Sequence, residues 1–182
     1  DDVNGLTGQL VRYGVLLVAG NVFLEQLGLP IPAMPLFVVA GALVAEGRLP
    51  GPGLLLAVLG AALAADTIWF LLGREYGWHI LRFLCGLSLS ADTCVRKTSS
   101  AYDRFGLRTL LFAKFLPGLS AVSVPIAGTL RAPFFRFLAY DTAGTLLWAG
   151  TGIGLGVVFH EQVEAVLELL RRFGAGALGV LA

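Results

Sequence analysis

The stretch Phe112–Gly128, FAKFLPGLSAVSVPIAG, limits the folds open to this chain more than any other. It is apolar enough for a bilayer, yet it contains Lys114, Pro117, Gly118, Pro125 and Gly128. Proline removes a backbone donor and clashes with the preceding turn, so a plain spanning helix is not expected here. A lysine near the bilayer centre costs about 2.5–3.5 kcal/mol even on the lenient insertion scale. Irregular backbone and charge persist at membrane depth only where protein or a water-filled cavity satisfies them. The stretch therefore reads as a broken or re-entrant hairpin lining a polar path, hinged at Pro117, Gly118, Pro125 and Gly128. In this reading Lys114 and freed amides around Leu119 and Ser120 offer an anion site.

Such an element needs a bilayer around it, and the composition calls for one. Of 182 residues, 57% are hydrophobic, another 24 are glycine and 14% are charged, against about 25% charge in a soluble domain. Mean hydropathy is +0.81. The expected class is an all-α integral membrane protein, one domain over 1–182, with broken hairpins and spanning helices. Net charge is +1, and no basic patch interleaves with aromatics, so nucleic acid is not an expected partner.

Along the chain, Asp1–Gln9 lacks a basic n-region and a cleavage site and does not read as a secretory signal. The apolar segment Leu10–Leu24 runs into EQLGLPIPAMPLFVVAG, where Glu25, Pro30, Pro32 and Pro35 interrupt it. This is the first broken element, about 25–45. Leu54–Leu72 is the clearest span, with Asp66 near its end. The connection 73–108 carries Arg74, Arg82, Arg96, Lys97, Arg104 and Arg108, which marks it as cytoplasmic. Within it, Trp78–Leu87 suits a short interfacial helix, with Ser90 or Asp92 as a later N-cap. The second broken element covers about 108–130, and Phe134–Phe159 is long enough to span.

The two halves echo one another. Ala40-Gly41-Ala42-Leu43 resembles Ala127-Gly128-Thr129-Leu130, and Ala65-Asp66-Thr67-Ile68 resembles Ala143-Gly144-Thr145-Leu146. Interrupted segments at matching places in two halves point to an inverted repeat with a central transport site. The final segment starts as an amphipathic helix, with Val163, Val166, Leu167 and Leu170 at helical spacing.

Glu25 and Asp66 are the carboxylates expected to exchange a proton or to gate the path, since an ionisable residue inside a membrane is functional by default. Structural pairings compete with those roles, Asp66 with Arg74 and Lys114 with Glu25 across the hairpins. Arg74, Arg136 and Asp141 are secondary candidates that also suit membrane-boundary positions. Cys85 and Cys94 do not form a zinc motif, and His79 and His160 lack ligands at helical spacing. There is no phosphate loop or Ser/His/Asp arrangement, so neither an enzyme nor a metal or other cofactor is expected.

The order FLEQLGLPIPAMP, GAALAADTIWFLLGREYG, FAKFLPGLSAVSVPIAG and a Trp-containing span resembles the DedA family, also called SNARE-associated or VTT-domain proteins, over about residues 16–156. The resemblance implies a multi-pass bacterial inner-membrane protein with two opposed re-entrant hairpins. It further implies a flippase-like or scramblase-like activity on a membrane lipid, undecaprenyl phosphate or a phospholipid, coupled to protons in some members, and it leaves room for a homo-oligomer. Glu25, Asp66, Pro117 and Gly118 match the family pattern. Met34 stands where many members have an acidic residue, and Ala113, Lys114 and Ser120 depart from F-x-G-R-F-x-P-G-x-R. Lysine grips a phosphate as a point charge, without the bidentate fork of arginine. LSLSADTC resembles a subgroup that sometimes carries a rhodanese-like domain, which this sequence does not contain. A proton-coupled carrier of a small solute and a non-transporting membrane scaffold are the alternative functions.

Overall fold

The computed structural model describes residues 2–77, 79, 106–116 and 119–162, and all regular structure among them is helical. The expected elements around Trp78–Leu87, Ser90 and Asp92, both cysteines, and the segment 163–182 lie outside the described residues. Helix α1 (Asp2–Gln26) ends in a turn where Gly28 N–H bonds the Glu25 carbonyl at 2.9 Å and Leu29 N–H bonds the Leu24 carbonyl at 3.1 Å. Such a turn needs left-handed backbone, and Gly28 supplies it at φ +107°. Pro30 and Pro32 then keep the chain extended until α2 (Ala33–Ala45) begins. Pro35 falls in the first turn of α2, where its missing N–H leaves no intrahelical bond unmade. The same glycine device closes α2 at Gly47, φ +71°, and Pro50 and Pro52 open α3 (Gly51–Tyr76).

By length and hydropathy, α3 is the one helix among the described residues apolar enough to cross a bilayer, and its 26 residues reach about 39 Å at 1.5 Å per residue. It runs past the expected end at Leu72, which places Asp66 within a turn of its middle. A short 3₁₀ turn (Gly106–Arg108) leads into α4 (Thr109–Ala113). After turns at 114–116 come α5 (Leu119–Thr129) and α6 (Phe134–Val158).

Packing is crossed between the halves. Helix α2 lies mainly on α6, while α5 lies on α3. Four glycines allow this approach, and each has a counterpart. A Cβ on Gly41 would stand 2.1 Å from the Ile153 carbonyl oxygen, and one on Gly128 would stand 2.0 Å from that of Phe70. One on Gly156 would be 2.0 Å from the Val38 oxygen, and one on Gly73 would be 2.2 Å from that of Pro125. Val38 and Gly41 are one turn apart on α2, as Pro125 and Gly128 are on α5.

This corrects the expectation that Pro125 and Gly128 break the second hairpin. Both lie within α5, where Gly128 serves close approach to α3 and the Thr129 hydroxyl bonds the carbonyls of Pro125 and Gly73. The echo between the spans is not in register with these contacts, because Asp66 and Gly144 do different work.

Two apolar cores result. One joins Val22, Phe37, Leu54, Val58, Ala62 and Trp148, with Phe37 edge-on to Trp148 at 4.7 Å. The other joins Phe70, Leu110, Val122, Ile126 and Phe137, with Phe70 stacked on Phe137 at 4.3 Å. Outside them the surface stays apolar: Leu56 is 69% exposed and Phe135 83%, as expected of side chains that face lipid rather than water.

Candidate functional site

The charged residues lie where the two cores meet. On α3, Asp66 falls one turn after Ala62 of the first core and one turn before Phe70 of the second. On α6, Asp141 falls one turn after Phe137. Lys114 caps the C-terminus of α4 and projects between them, donating to Asp66 Oδ2 and standing 3.6 Å from Asp141 Oδ1. The three side chains are 3%, 3% and 1% exposed. A lysine alone at this depth would be costly, and burial of the pair is tolerable only because the charges are in contact. The expected pairings of Asp66 with Arg74 and Lys114 with Glu25 are thereby corrected. Arg74 stands two turns further along α3, at its exposed end, and Lys114 turns to the aspartates instead.

Gly144 explains how α4 reaches this place. A Cβ there would stand 2.4 Å from the Leu110 carbonyl oxygen, so a glycine one turn beyond Asp141 lets α4 close on α6. Lys114 follows directly, held by short turns in which Phe115 N–H bonds the Phe112 carbonyl at 3.1 Å and Leu116 N–H bonds that of Ala113 at 3.1 Å.

The cluster contains one cation against two carboxylates. Both Asp141 oxygens are buried without a hydrogen-bond donor among the described residues, and so is the Thr145 hydroxyl one turn on. A carboxylate without a hydrogen bond, sharing in ion contact a lysine already bonded to Asp66, is a place for a proton or for a ligand that brings a donor.

The two helix breaks converge on this cluster. A cavity of about 440 Å³ is lined by Glu25, Leu29, Pro30, Ile31, Pro32, Met34, Lys114, Phe115 and Trp148. Glu25 Oε2 accepts the Ala33 N–H at 3.2 Å and so caps α2 across the break. Trp69 Nε1 donates to the Gln26 carbonyl at 3.0 Å, tying the same break to α3 three residues from Asp66.

Of the expected site residues, Lys114, Glu25, Pro30 and Pro32 meet in the cavity, and Asp66 meets Lys114 behind it. Pro35 and Asp141 stand close by on α2 and α6. Arg136 lies in the first turn of α6, lining a different pocket. Pro117, Gly118 and the side chain of Ser120 lie outside the described residues. The Leu119 amide, expected to be free for an anion, bonds the Leu116 carbonyl at 3.1 Å. The sequence did not mark Trp148 and Phe115 as cavity walls, and it suggested a membrane-boundary place for Asp141, which instead lies buried beside Lys114. The available signal was an aspartate inside an apolar span with a glycine one turn on.

Crossed broken helices, an apolar exterior and a buried charge cluster define a helical membrane protein with an internal polar site. The chain belongs to the VTT-domain family, the DedA proteins, whose profile matches residues 31–158. It is 28% identical over 159 residues to an uncharacterized membrane protein of Synechocystis sp., covering 85% of this chain and 73% of the relative. It is 30% identical over 185 residues to an uncharacterized membrane protein of Mycobacterium bovis, covering 97% and 82%. An alkaline phosphatase-like protein of Lactococcus lactis is 26% identical over 178 residues, covering 93% and 82%. No solved structure matches the chain.

Proposed function

We propose that this protein moves a phosphate-bearing lipid, a phospholipid or a polyprenyl phosphate, between the leaflets of a bacterial inner membrane, without enzymatic conversion and with a proton as co-substrate. The observation that carries the reading is Lys114 held between Asp66 and Asp141 at a cavity where two helix breaks meet. The large exposed side chains at those breaks include Leu29, Ile31, Phe115 and Leu116, an apolar rim through which acyl chains stay in hydrocarbon while a headgroup enters. That rim favours a lipid over a small solute, which calls for a closed aqueous route.

The charge balance dictates an order of events. Lys114 is neutralised by Asp66, and Asp141 adds a further negative charge, so an arriving phosphate is repelled while both carboxylates are ionised. A proton taken up by the cluster frees the ammonium for the phosphate. Release of the lipid on the other side returns Lys114 to its aspartates and lets the proton go. Glu25 lines the same cavity and holds the start of α2, so it couples headgroup entry to the geometry of the first break. The reciprocal contacts of Gly41 with Ile153 and Gly128 with Phe70 support an inverted repeat, in which each broken hairpin rests on the span of the other half. We place the basic end of the molecule in the cytoplasm.

The test is purified protein in asymmetric vesicles, with redistribution of a phospholipid and of a polyprenyl phosphate followed against a small-solute leak. Redistribution without leak is the expected result. Solute flux without redistribution refutes the lipid reading in favour of a solute carrier, and no transport of either kind refutes translocation.

A further inference from the structure

One end of the molecule gathers arginine. Arg74 closes α3, Arg131 forms the corner between α5 and α6, Arg136 lies in the first turn of α6, and Arg108 ends the 3₁₀ turn that packs on α6. Two of these share a pocket. Leu107, Arg108, Arg136 and Tyr140 line a cavity of about 350 Å³ that shares no lining residue with the Lys114 cavity. Arg136 and Tyr140 are four residues apart on α6 and present one face, while Phe137 and Asp141 present the buried one. Neither Arg108 nor Arg136 has an ion-pair partner among the described residues.

Two guanidiniums lining one pocket, neither ion-paired among the described residues, repel each other unless an anion lies between them. Arginine offers a planar fork of donors that fits phosphate oxygens in pairs, the Tyr140 phenol adds a hydroxyl donor, and Leu107 gives an apolar wall. The setting identifies the anion. Phe135, next to Arg136 in the chain, is 83% exposed and Phe112 is 61% exposed, so the pocket borders the lipid-facing surface. Basic ends of membrane proteins face the leaflet that holds anionic lipid.

We propose that the Arg108–Arg136–Tyr140 pocket is a second anion site, which holds the phosphate of an anionic lipid headgroup at the basic end of the protein. It is independent of the translocation route and would exist even in a protein that transports nothing.

The test is equilibrium titration of the purified full chain with two probes, a short-chain phosphatidate and inorganic phosphate, at low and moderate salt. Phosphatidate is expected to bind more tightly than inorganic phosphate, and added salt to weaken it. R108Q and R136Q should each weaken phosphatidate by roughly tenfold or more, while R108K/R136K retains intermediate affinity because charge remains and the fork is lost. Both arginines are exposed, so the variants should elute from a sizing column as the wild type does. Phosphatidate affinity unmoved by R108Q and R136Q overturns the site. Inorganic phosphate binding as tightly as phosphatidate overturns the lipid assignment.

Discussion

Removing the Lys114 charge should unfold the protein earlier, and removing its partner's charge as well should reverse the effect. Lys114 and Asp66 are both 3% exposed, so almost no solvent screening discounts their interaction. Lys114→Gln leaves Asp66 and Asp141 buried side by side with no cation. Breaking a buried pair on one side costs roughly 3–5 kcal/mol, and at ~2–4 °C per kcal/mol for a chain of this size the melting midpoint should fall by roughly 6–20 °C. Lys114→Gln with Asp66→Asn leaves only Asp141, which can stay neutral by keeping a proton, so most of the loss should return. Lys114→Gln with Glu25→Gln should recover little, because Glu25 is committed to Ala33. The assay is the fraction of folded, detergent-solubilised protein eluting from a sizing column after heating. A midpoint within about 2 °C of wild type for Lys114→Gln, or recovery with Glu25→Gln and not with Asp66→Asn, refutes the ion pair as drawn. On the lipid reading the recovered double variant stays inactive in redistribution, since no cation is left to meet the phosphate, whereas Lys114→Arg retains transport.

Gly144→Ala places a methyl group 2.4 Å from the Leu110 carbonyl oxygen; the resulting shift of α4 should cost about 1–3 kcal/mol and reduce transport by displacing Lys114, which the same melting and redistribution assays detect. Gly41→Ala and Gly156→Ala crowd one α2–α6 contact, so each should lower the midpoint and the double change should cost less than the sum. Glu25→Gln keeps an oxygen for the Ala33 N–H and should alter stability little, while Glu25→Ala removes the cap of α2 and should cost about 0.5–2 kcal/mol. Asp141→Asn fixes the neutral form of the side chain, so transport by this variant should lose its dependence on pH, measured by redistribution across pH 6 to 9.

The sequence by itself determined the class of protein and the broken elements, because both rest on local chemistry. Apolar runs with 14% charge require a bilayer, and Gly28, Pro30 and Pro32 end one helix and start another through backbone conformation that few other residues permit. It also picked out Lys114, Asp66 and Glu25, since an ionisable group in an apolar stretch is conspicuous wherever it falls. Partnership was not legible. Lys114 lies 48 residues from Asp66 in the chain, and the pairing depends on α4 closing on α6 over Gly144 and on α3 packing against α6. Asp141 looked like a boundary residue because its local signal, a glycine one turn on in an apolar span, does not reveal which charge it faces. Gly128 and Pro125 looked like breaks because glycine and proline interrupt helices in isolation. Only the packed structure shows that Gly128 admits the backbone of α3 and that Pro125 stays within α5 while its carbonyl meets Gly73. Helix breaks are decided within a few residues of chain, whereas charge pairing and glycine contacts are decided by which helices touch, and the fold alone fixes that.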